Sequence, residues 1–192
     1  MYLLNKISCI FGEFLLWLLG WKLDNSIKVK KAILIAYPHT TCYDAFIMYI
    51  VSFIINLRAI MKADNWYLSI ICRLLGFIGV CRFKRSNQTE IIANRISNEN
   101  TIFIAIAPEG TRQKQKGIRT GFYYIAKYSD TPIICGLLNY KTRIFSFSEP
   151  MYTKDLSENE VIDKIREFYH KNNAIAVSRY PKDVSPFIKL SK

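Results

Sequence analysis

The stretch KAILIAYPHTTCYD, residues 31–44, decides the fold. After its lysine, KAILIA is wholly apolar and carries two isoleucines, which suits a buried strand. Pro38 ends the run, because proline has no amide donor and restricts the residue before it. Thr40 and Thr41 then offer hydroxyls suited to a helix N-cap. The long apolar stretch from 44 to about 57 reads as a helix. Strand, turn and helix in that order begin an α/β unit. They leave His39 where the strand ends and Asp44 in the opening turns of the helix. Proteins of this class bind their ligands at the carboxyl ends of strands.

The alternation continues outward from there. LRAIMK (57–62) reads as a strand, 66–75 as a helix, and FIGVCRF (77–83) holds a short extended piece. Residues 88–98 have helical spacing, and TIFIAIA (101–107) is the clearest strand. Residues 120–128 look helical, PIICGLL (132–138) is another buried strand, and KTRIFSFSEP (141–150) suits a sheet edge. A helix from 157 to about 171 puts Leu156, Val161, Ile165 and Phe168 on one side, with Ser157 and Glu160 at capping-box spacing. His170 reads as a solvated residue on the polar side of that helix, beside Arg166, Tyr169 and Lys171. The last twenty residues hold two prolines and no period, and read as irregular. These elements predict an α/β fold: a single domain with a mixed, mostly parallel sheet flanked by helices.

The 192 residues suffice for one domain with a real core. Lys and Arg number 27 against 15 Asp and Glu, a formal charge of +12, which favours an anionic partner. Aromatic content of 14% fits a membrane surface better than DNA, and no zinc-finger, RNP or KH signature is present, so nucleic acid is not an expected partner. The cysteines Cys9, Cys42, Cys72, Cys81 and Cys135 form no CxxC pair and read as reduced, buried thiols of a cytosol-facing protein. With two histidines and no zinc spacing, no metal site is expected.

The N-terminus, MYLLNKISCIFGEFLLWLLGWKLDNS (1–26), is apolar but interrupted by Lys6 and Glu13. It has no small-residue cleavage site, and a spanning helix would not carry Glu13 at mid-depth. Residues 2–21 read as a helix lying in the membrane interface, with Trp17 and Trp21 at headgroup level. A helix packed on the domain and a tilted single span are the alternatives. Removal of residues 1–21 is expected to detach the protein from membranes.

His39 and Asp44 would not share a face if both were helical, since five residues turn through about 500°. With His39 in the preceding turn, Asp44 can reach back to the ring. A carboxylate accepting from one ring nitrogen fixes the tautomer and leaves the other nitrogen as a base. There is no GxSxG nucleophile elbow, so the base acts on a hydroxyl of the substrate. A second block follows TIFIAIA: Pro108-Glu109-Gly110-Thr111-Arg112, a tight turn presenting a carboxylate, a hydroxyl and a guanidinium suited to phosphate.

Together HTTCYD and PEGTR resemble the HxxxxD and PEGTR blocks of the glycerolipid acyltransferase family, whose members include the 1-acylglycerol-3-phosphate acyltransferases. GFIGVCR (76–82) and PIICGLL resemble its intervening and fourth blocks, in the same order, and the likeness covers about 31–140. RTGFYYIAKYSDTPIICG (119–136) is especially like the short bacterial-type members.

The resemblance implies a glycerol-3-phosphate acyltransferase-like fold, with a membrane-associating helix at 1–25 and the acyltransferase domain at 26–192. It implies His39 as general base and Asp44 as its orienting partner. Arg82 would bind the acceptor's phosphate, with Gly79-to-Arg85 an alternative frame of equal spacing and Lys84 and Arg85 supplementing the charge. Glu109 and Arg112 would bind acceptor, Gly110 form the turn, and Thr111 bond locally to it. Backbone amides near Gly110 are candidates for the oxyanion. Lys62 resembles a lysine the family often has after its second strand.

The family commonly has Asp before the arginine where this chain has Cys81, which leaves the acceptor headgroup open. The implied reaction moves a fatty acyl group from acyl-CoA or acyl-carrier protein to a lysophospholipid, with 1-acyl-sn-glycerol-3-phosphate going to phosphatidic acid. Another lysolipid, an amino-acid lipid or a sugar lipid is an alternative acceptor, and a non-catalytic lipid-binding relic the alternative role. The implied partners are the lysophospholipid, the acyl donor and a membrane surface. No cofactor is implied, and the implied location is the cytoplasmic face of a membrane.

Overall fold

A strand covered on both faces needs apolar side chains throughout, and Ala32, Ile33, Leu34 and Ile35 are all fully buried. They belong to β2 (Lys31–Ala36), which pairs in parallel with β5 (Ile102–Ile106) on one side and β6 (Ile133–Asn139) on the other. The computed structural model describes residues 2–24, 27–37, 42–62, 67, 70, 76–80, 88–110 and 118–172. Outward from β5 lie β3 (Leu57–Lys62) and β4 (Ile78–Val80), also parallel. Beyond β6 come β7 (Ile144–Phe147), antiparallel to it, and β1 (Lys22–Leu23), parallel to β7. The sheet thus has seven strands in the order β1-β7-β6-β2-β5-β3-β4.

Side-chain alternation divides the core. Ile33 and Ile35 of β2 join Ile102, Ile104 and Ile133 under α3 (Gln88–Ser97), α4 (Gly121–Tyr128) and α5 (Glu158–Lys171). Ala32 and Leu34 join Phe103, Ala105 and Ile134 under α1 (Tyr2–Leu18) and α2 (Cys42–Val51). The predicted mixed, mostly parallel sheet flanked by helices is what forms.

Several boundaries differ from the sequence reading. The helix expected from 44 to about 57 runs from Cys42 to Val51. It stops where the Ser52 hydroxyl donates to the Tyr49 carbonyl at 2.6 Å and the amides of Phe53 and Ile54 reach carbonyls three residues back. β7 is not the edge strand, because the two-residue β1 pairs beyond it. α5 opens with the predicted capping box: Ser157 Oγ accepts from the Glu160 amide, and a Glu160 carboxylate oxygen accepts from the Ser157 amide. His170 is exposed as expected, whereas its neighbour Tyr169 is fully buried.

Cys135 is buried, whereas Cys42 is exposed rather than buried. Of the helix expected over 66–75 only Tyr67 and Ile70 are described, both helical; the tail 173–192, Cys72 and Cys81 lie outside the described residues.

α1 packs one side against α2, with Gly12 and Leu16 turned inward. Its other side exposes Ile7, Ile10, Phe11, Phe14, Trp17 and Leu18. Trp17 is 71% exposed, as an interfacial anchor would be, but Trp21 is only 4% exposed. The helix ends at Leu18, and the Trp21 amide turns back to the Leu16 carbonyl at 2.8 Å. That turn drives the indole into the core beside Leu16 instead of leaving it at headgroup level. Among the described residues no helix is long and apolar enough to cross a membrane.

Candidate active site

Parallel pairing brings the two sequence blocks together. Ile35 of β2 stands opposite Ile106 of β5, so both strands end at the same level on the same sheet edge. The chain beyond β2 leads through 38–41 into α2 and Asp44. The chain beyond β5 leads into Pro108-Glu109-Gly110. Adjacent strands lie about 4.8 Å apart, so β2 and β5 end side by side. β4 ends at Val80, paired with Lys62 of β3, which carries the start of the intervening block, GFIGVCR, to the same edge.

The turn after β5 closes at Gly110, the residue expected to form it. The Gly110 amide donates to the Ala107 carbonyl at 2.9 Å, with Pro108 at the first corner and Glu109 at the second. Gly110 has φ +63°, a conformation that side chains with a Cβ rarely adopt. That amide, committed inside the turn, is not an oxyanion donor, and the Arg119 amide is likewise bonded to the Pro108 carbonyl. Glu109 is half-buried.

Asp44 is 5% exposed in the first turn of α2. The partial positive charge of a helix N-terminus favours a carboxylate there. Its Oδ1 accepts a hydrogen bond from the hydroxyl of Tyr140. Tyr140 follows β6 directly, so the chain just after the fourth block supplies a partner to the first. The Tyr140 ring meets Trp21 edge-on at 5.2 Å and Tyr43 at 6.1 Å. The turn that carries it is fixed by Asn139, whose side-chain oxygen accepts from the amides of Lys141 and Thr142 at 3.0 Å. Arg143 then binds the Leu19 carbonyl at 2.9 Å and accepts from the Lys22 amide, tying the end of α1 to this turn.

A second tyrosine braces the floor of the site. The Tyr169 hydroxyl reaches from α5 to the carbonyls of Ile35 at 2.7 Å and Gly136 at 3.0 Å, bridging the carboxyl end of β2 to the middle of β6. Its ring stands 4.8 Å from that of Tyr37, the residue before Pro38. Burial holds the Tyr169 hydroxyl well above its ordinary range, so it stays a donor. Burial also pushes the neighbouring Cys135 thiol up to about 12.

Of the predicted site residues, Asp44, Glu109 and Gly110 are brought to one sheet edge. His39, Arg82 with its alternative Arg85, Thr111 and Arg112 lie outside the described residues, as do Lys84 and the side chain of Lys62. Tyr140 was not singled out in the sequence; its position just after the fourth block was the available signal. Among the described residues no three His, Cys, Asp or Glu side chains gather as metal ligands.

The acyltransferase family model matches residues 22–136. That is more than half of the chain and takes in both blocks, so the protein belongs to the acyltransferase family. Among solved structures, it is similar to the crystal structure of the 1-acyl-sn-glycerophosphate (LPA) acyltransferase, PlsC, from Thermotoga maritima, with a TM-score of 0.60 and 16% identity over 92% of this chain and 81% of that one. At that identity the likeness is one of fold. The comparison with curated proteins gives no match.

Proposed function

We propose that the protein is a glycerolipid O-acyltransferase that moves a fatty acyl group from acyl-CoA or acyl-carrier protein to 1-acyl-sn-glycerol-3-phosphate, giving phosphatidic acid. The observation that supports this reading is the parallel pairing of β2 and β5, the strands that precede Asp44 and the Glu109–Gly110 turn, in a chain of the acyltransferase family. His39 takes the proton of the acceptor hydroxyl while Asp44 holds the ring in the competent tautomer. The hydroxyl oxygen attacks the thioester carbonyl, the C–S bond breaks, and the departing thiolate takes the proton from His39. Arg82 and Arg112 bind the acceptor phosphate, and Glu109 fixes the acceptor's orientation. No metal or bound cofactor enters this scheme.

The acceptor and product are lipids, so the reaction runs at a bilayer surface. The exposed apolar side of α1 inserts among the headgroups, with Trp17 as its anchor, and the +12 charge adds attraction to anionic lipid. The cytoplasmic face is the side where both thioester donors are at hand. Cys81, in place of the family's common Asp, favours a second reading in which the same chemistry serves another lysolipid, an amino-acid lipid or a sugar lipid. Acceptor kinetics of Arg82→Ala separate the two. A raised KM for lysophosphatidic acid supports the phosphate reading, and an unchanged KM contradicts it.

A further inference from the structure

A carboxylate that orients an imidazole must itself be held in one plane, because torsion about its Cβ–Cγ bond is soft. Asp44 is nearly buried, and a buried carboxylate requires donors. One comes from outside its own helix: the Tyr140 hydroxyl on Oδ1, 96 residues away in sequence. The Tyr140 ring is itself walled by Trp21 and Tyr43, so the hydroxyl is aimed rather than free to swing. A carboxylate has about four lone-pair sites on two oxygens. Accepting from Tyr140 therefore leaves it capacity for the histidine.

We propose that Tyr140 is a positioning residue for the acyl-transfer reaction, acting through Asp44 by setting the plane of the carboxylate that orients His39. The inference rests on the acyl-transfer reading above. A hydroxyl that merely filled space would affect melting alone. One that sets the Asp44 plane affects turnover and leaves substrate affinity alone, because it lies one step behind the reacting groups.

The test uses the full chain on phosphatidylglycerol-containing vesicles, with acyl-CoA and 1-acyl-sn-glycerol-3-phosphate. Tyr140→Phe keeps the ring and its packing, so its melting temperature is expected within a few degrees of the parent. Its kcat should fall about tenfold, as for the loss of one hydrogen bond to a charged group, with KM for both substrates within about twofold. In an Asp44→Asn background, the same substitution should change the residual rate by less than about twofold, since the carboxylate it acts through is gone. A parent-like kcat in Tyr140→Phe, a loss appearing in KM instead, or an equal loss in both backgrounds overturns the inference while leaving the acyl-transfer reading intact. No transfer by the parent chain overturns that reading, and the inference falls with it.

Discussion

Asp44 and Gly110 are the two described residues on which the proposed chemistry depends most. Asp44→Asn keeps the shape and removes the charge that, in the proposed mechanism, favours the competent tautomer of His39. Its kcat is expected to drop by about 10²–10⁴ in steady-state assays, with little change in KM. Gly110→Ala forces a Cβ into φ +63° and to 3.4 Å from the Arg119 guanidinium. The strain of about 1–2 kcal/mol should appear as a lower melting temperature and weaker acceptor binding, measured by calorimetry and KM. Asp44 and Gly110 were legible in the sequence because each sits in a short block whose spacing carries its own chemistry. Tyr140 was not. Its hydrogen bond spans 96 residues and exists only because β6 runs beside β2, so no local pattern announces it.

α1 departs furthest from what its sequence suggests. Trp17 and Trp21, four residues apart, look like one face of a continuous helix. The helix stops at Leu18, so the two rings part: Trp17 to the exterior, Trp21 into the core beside Tyr140. Removal of residues 1–21 would therefore strip Leu16 and Trp21 from the core and confuse membrane loss with unfolding. Phe14→Glu with Trp17→Glu changes only exposed positions. It should abolish co-sedimentation with anionic vesicles while leaving the melting temperature unchanged; full co-sedimentation would show that α1 is not the anchor. At Gly12 the helices nearly touch, and an added Cβ would stand 2.7 Å from Ile54, 2.9 Å from Phe53 and 3.2 Å from the Ile50 carbonyl. Gly12→Leu is expected to part α1 from α2, seen as faster proteolysis of the N-terminal segment in limited digestion.

For the whole molecule, the parallel sheet and its helices were legible because buried strands read as unbroken apolar runs and helices as a 3.6-residue period. β1 was not, since two residues carry no period; Tyr169 follows Val161 and Ile165 at four-residue spacing on the buried stripe, but the bridge its hydroxyl makes between two strands is set by the tertiary fold. Tyr169→Phe is expected to lower unfolding free energy by about 1–2 kcal/mol in denaturant titration. Burial raises the Cys135 thiol from 9.0 to about 12 in the fold, so the unfolded chain gives up its proton first. That contribution is fully present below pH 9 and is lost as pH rises toward 12; Cys135→Ala should flatten this alkaline decline in stability. Acyl transfer from labelled acyl-CoA to a panel of lysolipids, comparing the parent chain with His39→Ala, tests the reaction and its base together. Labelled phosphatidic acid from 1-acyl-sn-glycerol-3-phosphate, absent in the variant, is the predicted result. Equal product from both proteins would contradict the role of His39, and no thioester consumption with any acceptor or donor form would contradict the reaction itself.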